Sequence, residues 1–488
     1  MTAMTMKFGV GASVLRKEDE RFIRGAGRYT DDITLGGMLH GFVLRSPMAN
    51  ARIVSIDSSA ALEAEGVRLV LTGHDLKHLK PLQCEKRVRN REGKVVEAKP
   101  IPVLCADQVR HVGDAVAFIV AETRAQAVDA AELVQVDYDS LEAAGDPIGA
   151  LDDAAPLVWP DLGSNLAFYT QKGDIAATEA AFANAAHVSK LDLLNQRLIC
   201  NYMEPRSVIG EWNTAENRYV LTLGSQGVHG IQTLVADNLD IDPSMLRVVT
   251  HDVGGGFGTK SFNYRENALV LEAAKRLGQP VKWTGDRGEH FVTDAHGRDN
   301  VASAEMAMDE NGRFLALRVQ LKAAMGAYIH QFGPYIPGFA EAMATGVYDI
   351  PAMNFEIFGI YSHTVPTDAY RGAGRPEAAY LIETLVDACA RDLGISRDEI
   401  RRRNFIKPEQ FPYVTPAGRK YDVGEFEGHM NRAMEIAVWG SFDARAAAAK
   451  ADGKLRGIGM ATYIEACAFA GSEPAHVRLN GDGTVTLF

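Results

Sequence analysis

Four of the five residues from Gly254 to Gly258 are glycine, in the run Asp252-Val253-Gly254-Gly255-Gly256-Phe257-Gly258-Thr259-Lys260, directly after the apolar segment Arg247-Val248-Val249-Thr250. Glycine lacks a Cβ and reaches positive φ cheaply, so the backbone here must turn sharply and come close to something. Successive amides in such a turn are suited to a phosphate or an oxyanion. Two familiar phosphate loops do not fit. Thr259 stands where a G-x-x-x-x-G-K-[ST] loop needs its second glycine, although Lys260 and Ser261 follow. The G-x-G-x-x-G spacing fails too, as does the acidic residue expected about 20 positions later in a dinucleotide fold. A glycine-rich turn with no ligand is the competing reading. Phe257, a rigid aromatic set among the glycines, favours a ligand, because leaving its ring in water would be costly.

Two other segments belong with this loop. Gln226 lies in Leu223-Gly224-Ser225-Gln226-Gly227-Val228-His229, after the strand-like Tyr219-Val220-Leu221-Thr222. Its amide can donate to an oxo group or accept from a hydroxyl; taken alone, it reads as a satisfied loop residue. Tyr370-Arg371-Gly372-Ala373-Gly374-Arg375-Pro376-Glu377 precedes a helix predicted over Ala378 to Leu393. A glycine-rich helix entry offers N–H groups and a favourable dipole to an anion, with Arg371 and Arg375 at hand, and a plain helix start fits equally well. In Asn201-Tyr202-Met203-Glu204-Pro205-Arg206, Glu204 and Arg206 read as a structural ion pair with each other.

The 488 residues suggest roughly three domains at about 150 residues each. A net charge of −12 and the lack of a basic stripe argue against nucleic acid, and Arg401-Arg402-Arg403 reads as a solvated helix end. No stretch of 18 apolar residues predicts a membrane span, and Met1 to Val10 shows no secretory h-region, so a cytoplasmic location is the expectation. Cys84, Cys105, Cys200, Cys389 and Cys467 are scattered, and the histidines follow no ligand spacing, so no metal ligand set and no iron–sulfur site is read from this chain.

The pattern is α+β. Strands are predicted at Leu39 to Pro47, Ala115 to Val120 and Val134 to Tyr138, with a helix over Ala125 to Leu133. A boundary falls at Ala143-Ala144-Gly145-Asp146-Pro147, and the alanine- and aspartate-rich stretch after it reads as a long connection. A helix over Asn263 to Leu277 should end at Gly278, and Asp309-Glu310-Asn311-Gly312 should turn a hairpin into Arg313 to Ala324.

Taken together, and in order, these segments resemble the molybdenum-cofactor-binding large subunit of the xanthine dehydrogenase/aldehyde oxidase family of molybdenum hydroxylases. Arg24-Gly25-Ala26-Gly27-Arg28-Tyr29-Thr30-Asp31-Asp32-Ile33 is similar to the family's opening, and Val112-Gly113-Asp114-Ala115-Val116-Ala117 to its hammerhead domain. Asn201 to Arg206, Ser225-Gln226, Gly254 to Gly258, Trp283-Thr284-Gly285-Asp286-Arg287 and Ala369 to Gly374 follow in the family's order. The resemblance implies a hammerhead α/β domain at 21–145 behind an N-terminal segment 1–20 and a connection at 146–190. It implies a first α+β cofactor domain at 191–415 and the start of a second at 416–488. It also implies a molybdenum-pyranopterin, as molybdopterin or its cytosine dinucleotide form, approached by Gln226, Gly255, Gly256, Phe257, Gly258, Arg371 and Gly372. Gln226 would hydrogen-bond an oxo ligand of the metal.

The activity implied is hydroxylation of a small-molecule substrate, an aldehyde or N-heteroaromatic compound, with oxygen from water. Electrons would leave to a small 2Fe-2S subunit and a medium FAD subunit, in a dimer of heterotrimers. Gly372 replaces the cysteine of copper-binding carbon monoxide dehydrogenases, which argues against that reaction. Ser261 and Ala373 replace the glutamate and phenylalanine that handle purines, and would line a differently shaped substrate pocket. The family's base glutamate sits in a C-terminal Gly-x-Gly-Glu segment that this chain lacks, so the chain is expected to be incomplete and, alone, inactive. The alternative is a non-catalytic, truncated homologue that keeps only the scaffold and its subunit contacts.

Overall fold

The computed structural model describes residues 9, 12–466 and 475–487; Cys467, Phe488 and nearly all of Met1 to Val10 lie outside them. Strands β1 (Leu39–Arg45), β2 (Val67–Thr72) and β3 (Ala115–Ala121) and helix α1 (Arg124–Glu132) form the first part. Every residue of β3 is buried, as its unbroken apolar run requires of a strand covered on both faces. Thr123 caps α1 by accepting the Gln126 N–H at 3.2 Å.

The stretch read as a long connection instead carries strand β4 (Leu166–Gly173) and helix α2 (Ile175–Ala183). Its alanines are helix-forming residues rather than linker residues. Strands β5 (His187–Asn195), β6 (Ser207–Asn213), β7 (Arg218–Leu223) and β8 (Leu246–Val249) follow, with helix α3 (Val228–Asn238) between the last two. Helix α4 (Arg265–Leu277) ends where Gly278 takes a left-handed C-cap at φ 64°, and strand β9 (Val281–Thr284) comes next. Helix α5 (Arg287–Thr293) leads to β10 (Asn300–Met308), β11 (Phe314–Gly326) and β12 (Ala352–Tyr361). Helices α6 (Arg375–Asp392) and α7 (Arg397–Asn404) complete this part.

One seven-stranded sheet runs β8-β7-β6-β9-β1-β3-β2. It joins the first part of the chain to the later one through the parallel pair β1–β9, where Leu39 faces Val281. A second sheet, β5-β10-β11-β12-β4, takes α6 on β5 and β10. The hairpin between β10 and β11 turns as its residues predict: the Asp309 carboxylate accepts the N–H groups of Asn311 and Arg313, and Gly312 sits at φ 75°.

Arg401 corrects the reading of a solvated basic run. It is fully buried, with its guanidinium on Glu383 at 2.7 Å and Asp387 at 2.9 Å. Arg402 and Arg403 lie on the half-buried side of α7, on Glu427 and Glu399. A helix-end arginine turns inward when the packed neighbour supplies carboxylates, and the partners here come from α6. Arg401→Met leaves two carboxylates short of their cation, and should cost about 3–5 kcal/mol, read as a lowered thermal unfolding midpoint.

Candidate functional site

The site forms where loops leave the carboxyl ends of β7 and β8. These strands are parallel neighbours, with Thr222 beside Val249, so Gln226 after one and the glycine loop after the other emerge side by side. Crevices outside the carboxyl ends of adjacent parallel strands are the usual ligand positions of such sheets. The Gln226 side chain accepts the Gly258 N–H through Oε1 at 2.8 Å, while the residue's backbone N–H donates to the Lys260 carbonyl at 3.0 Å. An N–H can only be met by the amide oxygen, which fixes the flip: Oε1 faces the loop, and Nε2, a double donor, has no partner among the described residues.

Two glycines leave no room for a side chain here. A Cβ on Gly256 would lie 2.4 Å from Gln226 Oε1, and one on Gly258, at φ 109°, would lie 2.4 Å from the Ala369 carbonyl oxygen. Phe257 itself holds a positive φ of 48°, costly for a residue with a Cβ, and the residue is 46% exposed. The N–H groups of Gly255, Gly256 and Phe257 donate to no described residue. Three successive unspent amides, with backbone of alternating hand, make a concave donor surface for an anion.

Arg371 is stitched to the loop by its backbone: its N–H donates to the Phe257 carbonyl at 2.9 Å, and its guanidinium stands 5.6 Å from the Phe257 ring. Gly372 follows at φ 94°. Ser261, in the turn after the glycine loop, and Ala373, at φ 46°, are both half-buried, and no hydrogen bond links the two. The helix entry departs from the anion reading. Helix α6 begins at Arg375, and its N-cap Gly374 donates to the side chain of Glu377 at 2.9 Å, so the chain's own carboxylate takes the place offered to an anion.

Arg298 was not signalled by any local pattern. Buried, with φ 63°, it donates to the carbonyls of Tyr370 (3.1 Å) and Arg371 (2.9 Å) and pairs with Glu377 at 2.8 Å. Burial pushes the Glu377 carboxyl upward, and Arg298 works against that. Glu204 and Arg206 do not pair with each other. Glu204 binds Lys260, and Arg206 binds Glu266 at 2.9 Å and Asp294 at 2.8 Å. Each has its partner on a different part of the chain, which the close spacing in sequence concealed.

Beneath the loop runs a buried ionic chain. Arg45 of β1 reaches Glu266 at 2.6 Å, and Glu266 passes to Arg206 and then Asp294. Asp294 accepts the Tyr202 hydroxyl and faces His290 Nδ1 at 2.8 Å, while His290 Nε2 donates to the Cys200 carbonyl at 2.9 Å. The Cys200 thiol donates to the Gly256 carbonyl at 3.3 Å, which ties this chain to the glycine loop. Burial alone would raise the Glu266 carboxyl, but Arg206 and Arg45 together hold it at about 2. Asp294 is held below the ordinary carboxylate range: burial opposes, and Arg206 and His290 prevail.

Fold and loops together present a scaffold whose open donors are mostly backbone amides. Residues 24–142 match the aldehyde oxidase and xanthine dehydrogenase a/b hammerhead domain, and residues 158–405 match the molybdopterin cofactor-binding domain. The chain is 31% identical to the 6-hydroxypseudooxynicotine dehydrogenase complex subunit gamma of Paenarthrobacter nicotinovorans, over 98% of this chain and 60% of that one. It is 36% identical to the carbon monoxide dehydrogenase large chain of Hydrogenophaga pseudoflava, over 94% of this chain and 58% of that one. Quinoline 2-oxidoreductase from Pseudomonas putida 86 superposes with a TM-score of 0.88 at 33% identity, covering 98% of this chain and 62% of that one. The chain thus belongs to the molybdopterin-binding large subunits of the xanthine dehydrogenase family, and spans about 60% of the length of these relatives.

The Glu266 shift has a signed consequence. A carboxyl depressed from about 4.3 in the unfolded chain to about 2 in the fold contributes on the order of 3 kcal/mol, fully present above pH ~4.5 and lost as pH falls through 2. Acid unfolding followed by circular dichroism should therefore show a smaller stability loss between pH 4.5 and 2 in Glu266→Gln than in the parent, even though the variant starts lower.

Proposed function

We propose that this chain forms the hammerhead and first cofactor-gripping portion of a molybdenum hydroxylase large subunit. The subunit oxidises an aldehyde or an N-heteroaromatic compound with oxygen from water, and delivers electrons to iron–sulfur and FAD subunits. The observation that carries this reading is the pairing of an unspent Gln226 Nε2 donor with the unspent amides of Gly255, Gly256 and Phe257. That donor set fits an anionic cofactor bearing oxo groups, and it is held by close packing in which a Cβ on Gly256 would displace Gln226 and one on Gly258 would strike the Ala369 carbonyl. The names of two relatives, a 6-hydroxypseudooxynicotine dehydrogenase subunit and a quinoline 2-oxidoreductase, support the heteroaromatic class, as does Gly372 where copper-binding enzymes have cysteine. A subunit gamma and a large chain among the relatives support separate electron-carrying partners.

When bound, the molybdenum centre supplies the two-electron oxidation. The residues of this chain do the rest by position. Gln226 Nε2 offers its N–H groups to an oxo acceptor, and Gly258 keeps the amide in that orientation. Gly255, Gly256 and Phe257 present their amides, and the half-exposed Phe257 ring forms an apolar wall that contact with a ligand would desolvate. Arg371 and Gly372 close the far side through backbone held by Arg298. Ser261 and Ala373 border the space left for substrate.

In the complete enzyme, Gly256→Ala and Gly258→Ala should each lower molybdenum per protomer several-fold by elemental analysis, with a smaller effect on the thermal midpoint, because the added Cβ displaces Gln226 in the first and forces the loop off the Ala369 carbonyl in the second. Gln226→Ala should keep its molybdenum but lower kcat by on the order of 10–100-fold, the loss of one preorganised donor. Equal molybdenum content in the glycine variants and the parent would contradict the assignment of the loop.

A further inference from the structure

We propose that Glu204 and Lys260 act as a positioning clamp that sets the glycine loop, as a buried pair whose charges cancel each other. The proposal rests on the reading of that loop as cofactor-facing. Glu204 ties both ends of the loop. Its Oε2 accepts the Gly254 N–H at 2.7 Å and the Lys260 ammonium at 2.6 Å. Its main chain repeats the tie, with its N–H on the Gly254 carbonyl at 3.1 Å and its carbonyl accepting Lys260 Nζ at 2.9 Å. Four contacts from one residue thus close the loop at its first glycine and just past its last.

The cation is sealed. The Lys260 side chain is 1% exposed, and its ammonium stands 4.6 Å from the face of the Tyr202 ring. An ammonium so placed is tolerated only with a charged partner, and Glu204 is the carboxylate it touches. Between the clamped ends lie Gly255, Phe257 and Gly258, at φ 96°, 48° and 109°. Backbone of that kind persists only where the surroundings over-determine it. The clamp also reaches the other loop, since the Lys260 carbonyl accepts the Gln226 N–H. Neither side chain bonds the amides of Gly255, Gly256 and Phe257, so the role of the pair is to place other groups, not to touch a reacting atom.

Hydrogen exchange and molybdenum content, measured on the complete enzyme, test this. In Glu204→Gln the buried ammonium meets a neutral amide. Amides of residues 254–260 should then exchange on the order of 10-fold faster while those of the seven-stranded sheet keep their protection, and molybdenum per protomer should fall. Removing both charges, in Glu204→Gln with Lys260→Met, should bring loop exchange back to within about threefold of the parent and recover molybdenum. Unchanged loop exchange in the single variant, failure of the double variant to recover, or loss of sheet and loop protection together in both would overturn the clamp. A parent enzyme without molybdenum would count against the cofactor reading, while the exchange data would still decide the clamp.

Discussion

Arg206 is buried between two carboxylates, Glu266 and Asp294, with its guanidinium also 3.7 Å from the centre of the Tyr264 ring. Glu266 is shared with Arg45, which comes from the part of the chain that matches the hammerhead domain. Charges removed from water in this way are held only if every partner is in place, and loss of one leaves another unpaired. The seven-stranded sheet draws its strands from both matched regions, so the joint between them is made of backbone hydrogen bonds reinforced by this ionic chain. At its far end, Tyr202, His290 and Cys200 carry the constraint to the Gly256 carbonyl. The glycine loop is thereby tied to a buried ionic chain.

The chain treats its amides differently at the two loops. At the entry to α6 it answers an N-cap amide with Glu377, and answers Glu377 with Arg298. In the glycine loop it leaves three in a row without a partner among the described residues, and exposes an aromatic ring beside them. An unspent donor surface held in strained backbone is where a ligand belongs, and a capped helix start is where it does not. Arg371 nevertheless contributes through its backbone, by the bond to the Phe257 carbonyl.

What the sequence made legible was local. The glycine loop, the turn at Asp309–Arg313 and the C-cap at Gly278 are set by φ preferences and short-range hydrogen bonds, and each turns where its residues indicate. The family was legible because several such local signatures occur in a fixed order, a stronger constraint than any one of them. Long-range partners were not legible. Nothing near Glu204 points to Lys260, nothing near Arg401 points to Glu383, and nothing near Arg298 points to the carbonyls of Tyr370 and Arg371. The strand and helix at Leu166–Gly173 and Ile175–Ala183 were hidden for a similar reason, since their pairing and packing partners, β12 and β11, lie far along the chain. The Glu377 cap was open to reading, at the capping-box spacing from Gly374, but the glycines and arginines around it drew the eye toward an external anion.

Anomalous diffraction at the molybdenum absorption edge, from crystals of the complete enzyme, would locate the metal without reference to activity. The predicted result is one peak per protomer, in the space bounded by Gln226, the Gly255–Gly258 loop and the backbone of Arg371. A peak elsewhere in the protomer, with these loops unliganded, would contradict the assignment of the site.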